Sequence, residues 1–348
     1  MVGRGGKRAT GVSQIQILLT ERCNLTCRHC AVPAEQSPAD HELSTESWKS
    51  IINVAAASGI ESVVVNGGEA LMRRDAVELM EHALSSGISW ATLISNGMLF
   101  TEPVSERIAD AQRRFPAFGV HISIDGATAA THDWMRGEGT FDRMMASIDR
   151  LRGAGGTISG VNSVLHAGNV DEFRSIGDLV KSLGAEIWTV FPNADLGRGV
   201  NLGSSRLSEP IWKDLYQQAR DVRDRHGIFV GIGGPVMGDE WPEDAMRVPN
   251  PRFARPDKAC LGPDGEVFTC PPLRHLDRGR VHHAIDVDEF DRMMVGAAET
   301  LDEACVSCKY LLVCTGVDLD DAFRDRPGPF GPPSAGRVWQ PVSIRGRL

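Results

Sequence analysis

The chain has 348 residues, 42% hydrophobic and 24% charged, with 37 basic against 46 acidic side chains and a formal net charge of −9. That is enough apolar material for one large domain with a smaller one, or for two domains, and the acidic balance argues against nucleic acid as a partner. No apolar run reaches membrane-spanning length, and the basic start Met1–Arg8 is not followed by the apolar stretch of a secretory signal.

Ile15–Leu19 reads as a first strand, and closely behind it stands the run Cys23-Asn-Leu-Thr-Cys27-Arg-His-Cys30. Three thiolates at CxxxCxxC spacing can hold three corners of a 4Fe–4S cube, leaving the fourth iron open to a small chelating molecule. Zinc is the competing occupant, but zinc loops usually pair two CxxC units and no fourth cysteine lies nearby. A loop at the C-terminal end of a strand is where α/β barrels keep their chemistry.

Ser44 then stands ready to N-cap a helix with the apolar face Trp48, Ile51, Ile52 and Ala55, ended by Gly59. Ser62–Val65 is a buried strand, and Asp75–Ser86 a helix that stops at Gly87. Trp90–Ile94, Val104–Arg113 and Gly119–Ile124 follow as strand, helix and strand. A helix at Phe141–Leu151, a strand at Ile158–Leu165 and a helix at Val170–Leu183 before Gly184 continue the series. Ile187–Phe191 and the long helix Ile211–His226 complete six strand–helix units.

This alternation predicts an α/β fold, a partial (β/α)6 TIM-like barrel. From about Gly231 it fails, and Gly, Pro and Cys punctuate a smaller, Cys-rich C-terminal region. The expected organisation is a mobile N-terminus over 1–14, the barrel over 15–230 and a cysteine-bearing domain over 231–324. The tail over 325–348, with Pro327, Pro329, Pro332 and Pro333, is expected to be irregular. Eight cysteines without a secretory signal fit metal or redox use in a reducing cytoplasm better than a disulfide framework.

Successive strands end in small or polar residues: Asn66-Gly67-Gly68-Glu69, then Ser95-Asn96-Gly97, then Ser123-Ile124-Asp125-Gly126. Glycines let a ligand approach the backbone and a carboxylate accepts from an ammonium, although glycine after a strand is by itself an ordinary turn. The order is what carries information. With His132-Asp133-x2-Arg136-Gly137-x-Gly139-x-Phe141 and Gly197-Arg198-Gly199, it resembles the radical S-adenosylmethionine superfamily over roughly 15–200. More narrowly it is similar to the subgroup carrying a SPASM or twitch auxiliary-cluster domain.

The resemblance implies that Cys23, Cys27 and Cys30 ligate a 4Fe–4S cluster whose open iron binds the methionine part of S-adenosylmethionine. It implies that Gly67, Gly68 and Glu69 hold the amino group. Ser95, Ser123 and Asp125 are candidates for its ribose and carboxylate, Arg136 for its carboxylate, and Asn96 belongs to the same strand-end motif. His29 occupies the position whose ring lies near the adenine. Asp125 and Arg136 either touch the cosubstrate or anchor their own loop. The implied activity is reductive cleavage to a 5′-deoxyadenosyl radical that abstracts a hydrogen atom from a substrate, giving oxidation or epimerisation.

Cys260-x9-Cys270, with Asp264-Gly265 suited to a turn between two short strands, and Cys305-x2-Cys308-x5-Cys314 resemble the auxiliary domain. The full SPASM pattern breaks, because Asp318 stands where a further cysteine belongs and no later one follows. Cys260, Cys270, Cys305 and Cys308 are expected to hold one auxiliary 4Fe–4S cluster, with zinc again the alternative. Cys314 is left over. It is a further ligand with an oxygen from Asp318 or Asp320, an inert buried thiol, or a hydrogen-atom donor to a substrate radical.

The implied partners are a small-molecule or peptide substrate and an electron donor such as flavodoxin or ferredoxin, with no nucleic acid and no membrane. The acidic chain, the short cysteine set and a start almost at the first strand, with no preceding leader-binding domain, favour an amino sugar or aminocyclitol. A maturase of a ribosomally made peptide is the alternative, and a non-catalytic electron carrier the reading from another class. His121 and His282-His283 lack a partner at metal spacing, Trp48 and Met80 read as core, and Asp221, Arg223 and Arg225 as a solvated helix face.

Overall fold

The computed structural model describes residues 12–31, 41–193, 197–202, 207–232, 258–268 and 287–299. Cys270, His282, His283, Cys305, Cys308, Cys314, Asp318, Asp320 and the tail lie outside the described residues. Seven strands run parallel: β1 (Gln14–Leu18), β2 (Ser62–Asn66), β3 (Trp90–Ser95), β4 (Phe118–Ser123), β5 (Gly160–Leu165), β6 (Ile187–Pro192) and β7 (Phe229–Ile232). Between them lie α1 (Thr45–Ala57), α2 (Ala76–Ser85), α3 (Glu102–Arg114), α4 (Ala129–Arg136), α5 (Thr140–Gly153), α6 (Phe173–Ser182) and α7 (Glu209–His226).

The strands sit side by side in unbroken chain order. Parallel crossovers are right-handed, so an order that never reverses puts every connecting helix on one face of the sheet. This is the winding of a barrel, as the alternation predicts; a doubly wound sheet reverses its order. On the far side of β1, β8 (Lys258–Leu261) adds as a further parallel strand, pairing Gln16 with Cys260, and antiparallel β9 (Val267–Phe268) follows it. The turn between β8 and β9 contains Asp264 and Gly265, the latter at φ +84°. α8 (Val287–Glu299) places Phe290 in the main core.

Local chemistry accounts for the elements read from sequence. Ser44 Oγ accepts the Ser47 N–H at 3.1 Å, and Trp48, Ile51, Ile52 and Ala55 are all sealed in the core. Three elements, α4, β7 and α8, go beyond the sequence-based expectation, α8 lying in the region where the alternation fails. α4 is capped by Thr128, whose hydroxyl accepts from Thr131 N–H, although in the sequence its residues stand as the continuation of a strand-end motif. β7 contains Gly231, which reads as a breaker; its hydrogen bonds come from β6, with Ile187 opposite Phe229 and Val190 opposite Ile232.

The sheet is two-faced. Ile15, Ile17, Val63, Leu93, Val120 and Trp188 point to the helices and are essentially inaccessible. Gln16, Val64, Thr92, His121, Asn162 and Thr189 alternate with them and are only half-buried. A parallel sheet ordinarily buries both faces, so a half-open face with polar side chains is what distinguishes this one.

Candidate active site and cysteine loop

The loop carrying Cys23, Cys27 and Cys30 leaves the C-terminal end of β1 and is gripped from two sides. On the β2 side, Gly68 N–H donates to Thr20 O at 2.7 Å and Glu69 N–H to Arg22 O at 2.8 Å. A Cβ on Gly68 would stand 2.3 Å from Arg22 O, and one on Gly67, at φ +154°, 2.4 Å from Thr20 O. On that side these glycines let two backbones lie flush, so their smallness serves chain-to-chain docking. On the other side, Arg28 N–H donates to Met135 O at 2.9 Å, Arg198 N–H to Cys30 O at 2.9 Å and Arg198 Nε to Cys27 O at 2.8 Å. Gly197, at φ +55°, packs where a Cβ would lie 2.4 Å from Cys30 O.

Cys23 Sγ accepts from Leu25 N–H at 3.5 Å and from Asn96 Nδ2 at 3.9 Å, and the same Asn96 amide donates to Asn24 Oδ1 at 2.8 Å. Burial pushes the Cys23 thiol up to about 11 against the Leu25 N–H, and Glu69, Cys27 and Cys30 push the same way. Burial also raises Cys27, with the Arg136 and Arg198 guanidiniums opposing. Thiols held this way ionise when a metal displaces the proton.

Among the described residues no group of three or more His, Cys, Asp or Glu side chains is arranged to hold a single metal ion. The triplet fits the corner ligands of a cluster: the neighbouring thiols oppose ionisation of Cys23 and Cys27, N–H groups point at the Cys23 sulfur, and the Arg136 and Arg198 guanidiniums stand by to balance an anionic cluster.

Glu69 is fully buried. Its carboxylate accepts from Ser95 Oγ (2.9 Å), Asn96 N–H (2.7 Å) and Leu71 N–H (3.2 Å), while burial raises its pKa. Ser95 thus commits its one hydroxyl proton to Glu69 and accepts Gly97 N–H at 3.0 Å, so it supports the carboxylate. A carboxylate has about four lone-pair sites, so Glu69 keeps capacity for one further donor.

Asp125, just past β4, is completely buried. Oδ1 accepts Val164 N–H at 2.8 Å, Oδ2 pairs with Arg136 Nε at 2.6 Å, and His29 Nε2 lies 3.7 Å away. Burial works against the charge, but Arg136, His29 and the Val164 N–H outweigh it and hold the carboxyl at about 2. Both Asp125 and Arg136 therefore anchor the rim. Ser123 is half-exposed at the end of β4. Gly126 closes on α4, where a Cβ would meet His132 N at 2.5 Å.

Sequence reasoning left out Arg198 as a clamp on the cysteine loop, Asn24 beneath Asn96, and the pair His166 and Asn169 after β5. Asn169 Nδ2 donates to Asp125 O at 2.9 Å and Val164 O at 2.8 Å. A polar cluster directly after a strand was the available signal. Cys260 is buried on β8 beside Leu18 and Phe268, its thiol 3.8 Å from Gln16 Oε1.

This is an α/β fold of barrel winding with a cysteine loop and a carboxylate–arginine rim at the C-terminal strand ends. Residues 17–180 match the radical SAM superfamily model. The AdoMet-dependent heme synthase of Methanosarcina barkeri is 35% identical over 86% of this chain and 88% of its own length. The mycofactocin maturase MftC of Mycolicibacterium smegmatis is 27% identical over 94% and 89%. Streptococcus suis SuiB bound to its precursor peptide SuiA superposes with a TM-score of 0.66 at 16% identity, over 94% of this chain and 76% of that one.

The chain belongs to the radical S-adenosylmethionine superfamily. It is an enzyme of that family, whose cofactors are S-adenosylmethionine and a 4Fe–4S cluster, and the relatives accord with the SPASM-bearing subgroup read from the motifs. Among the described residues no helix is long and apolar enough to cross a membrane.

Proposed function

We propose that this enzyme modifies a ribosomally made peptide by hydrogen-atom abstraction. The cluster and S-adenosylmethionine supply the 5′-deoxyadenosyl radical; Cys23, Cys27 and Cys30 hold the cluster, and Glu69 accepts from the cosubstrate's ammonium. Arg136 and Asp125 fix the rim against which the cosubstrate lies, and Arg198 and Asn96 keep the loop from moving. Cys260, Cys270, Cys305 and Cys308 hold an auxiliary cluster in residues 231–324, reached by an electron donor of the flavodoxin or ferredoxin class in a reducing cytoplasm.

One observation carries the peptide substrate: a mycofactocin maturase aligns with this chain almost end to end. The polar, half-open face of the sheet suits a substrate rich in amides. The amino sugar or aminocyclitol expected from acidity and cysteine count has no such support. A second reading, a tetrapyrrole substrate, is favoured by the 35% identity to a heme synthase over most of both chains.

The test is anaerobic reconstitution with a reductant and S-adenosylmethionine, offering in turn a precursor peptide encoded beside the gene and a tetrapyrrole. Peptide-dependent 5′-deoxyadenosine with a mass change in the peptide supports the proposal. Turnover with the tetrapyrrole alone overturns it in favour of the second reading.

A further inference from the structure

Asn96, just past the end of β3, is buried and pinned from three sides. Its backbone N–H donates to Glu69 Oε2 at 2.7 Å, and its side-chain oxygen accepts the Met98 N–H at 2.9 Å. Its Nδ2 donates to Asn24 Oδ1 at 2.8 Å. The Met98 N–H is a backbone donor of fixed polarity, so it decides which way the amide faces. A half-turn of the amide would set Nδ2 against that N–H, donor against donor.

A side-chain amide offers a pair of N–H groups, and Asn24 takes one of them. The same Nδ2 stands 3.9 Å from Cys23 Sγ, within the longer reach of a hydrogen bond to sulfur. The Leu25 N–H is a second donor on that sulfur, at 3.5 Å. These donors differ in kind. Leu25 belongs to the cysteine loop and arrives with its backbone, whereas Asn96 reaches over from a strand end 73 residues further along the chain. The bond to Asn24 already ties Asn96 to the loop, so the contact with sulfur is surplus to docking.

Its consequence is electrostatic. A cysteine sulfur that holds a cluster corner gains negative charge when the cluster takes up an electron. An N–H aimed at that sulfur stabilises the reduced form more than the oxidised one, and such hydrogen bonds are among the levers that set cluster potentials. In a buried site little water competes with the donor.

We propose that Asn96 is a positioning residue for electron entry: its Nδ2–H, oriented by Met98 and Asn24, donates to the Cys23 sulfur and raises the reduction potential of the cysteine-loop cluster. One electron from the donor protein then enters more readily, and no bond is made or broken. The proposal rests on the reading of Cys23, Cys27 and Cys30 as cluster ligands, not on which substrate is modified.

The experiment is an EPR-monitored redox titration of the anaerobically reconstituted holoenzyme, with iron counted in the same samples. The cysteine-loop cluster is followed through the signal that changes when S-adenosylmethionine is added. Asn96→Ser can still accept from Met98 in the same turn, but it lacks the amide donor. At unchanged iron content its reduction equilibrium should fall about tenfold, a lowering of about 59 mV for one electron. A residue that merely held the loop would alter iron content and leave the potential alone. An unchanged potential in fully loaded Asn96→Ser would overturn the proposal.

A second measurement does not depend on that variant. Asn24→Asp keeps an oxygen to receive Asn96 and removes its own amide nitrogen. In Asn24→Asp protein grown with asparagine labelled with nitrogen-15 in the side-chain amide, pulsed EPR of the reduced cluster should show a weak coupling to the label. Absence of that coupling would overturn the proposal even where Asn96→Ser loses its iron. A wild type in which no cluster signal answers S-adenosylmethionine would instead sink the cluster reading of the loop, a different result.

Discussion

On the helix-covered face of the sheet Ile15, Ile17, Val120 and Trp188 are sealed, while on the opposite face Gln16, Thr92 and Asn162 are only half-buried. The strands are the same; only the alternate residues differ. Where a side chain meets a helix, its burial stabilises the fold and a change of one methylene is felt. Where it meets open space, polarity costs little and the residue is free to serve a ligand. The rim, where both faces end, has neither freedom: Asp125, Glu69 and Arg136 are as buried as the core and are held by ion pairs and hydrogen bonds.

This contrast can be broken by substitution. The largest effect belongs to the rim. Cys27→Ala removes a cluster ligand, and 5′-deoxyadenosine formed under reducing conditions should fall to background, with iron per chain reduced. Retained production would overturn the assignment of the loop.

Next is the sealed face. Ile17→Ala should destabilise by about 2–5 kcal/mol, whereas Thr92→Ala on the opposite face should change stability by under about 0.5 kcal/mol, both read from denaturant midpoints. Equal losses would erase the distinction between the faces.

Gly68→Ala comes third, at about 1–3 kcal/mol, because its new methyl meets the Arg22 carbonyl and backbone cannot step aside. It should also lower iron incorporation, since the displaced strand of chain carries Cys23. Full iron loading would show that the grip from β2 is dispensable.

The smallest effect sharpens the comparison by pH. Burial holds His121 at about 4, below the ordinary 6.5 that it regains on unfolding. Between those values the unfolded chain binds a proton that the native one refuses. Stability from the neutral ring is therefore complete above about pH 6.5 and declines as pH falls toward about 4. Against wild type, His121→Asn should flatten the loss of denaturant midpoint between about pH 7.5 and about pH 5. Parallel slopes would mean that His121 titrates alike in both states.

Much of this was legible in the residues themselves. Trp48, Ile51, Ile52 and Ala55 announce the buried face of α1 because helix period and apolarity are local properties. The cysteine spacing and Gly67-Gly68-Glu69 announce a site for the same reason. β7 was hidden because its stability comes from β6, and a glycine at its centre says nothing of that pairing. α4 was hidden because its polar residues do double duty: from within the helix the Asp133 carboxylate accepts from Gly139, Thr140 and Phe141 at the start of α5.

The sequence by itself thus determined the parallel α/β alternation, the cluster loop and the family's motif set, all encoded in short-range pattern. Tertiary structure decided what each motif residue touches. Ser95 supports Glu69, the glycines dock one backbone on another, and Arg198 clamps a cysteine 171 residues earlier in the chain. Such contacts depend on which strand ends come together, and spacing along a chain does not record distances across a sheet.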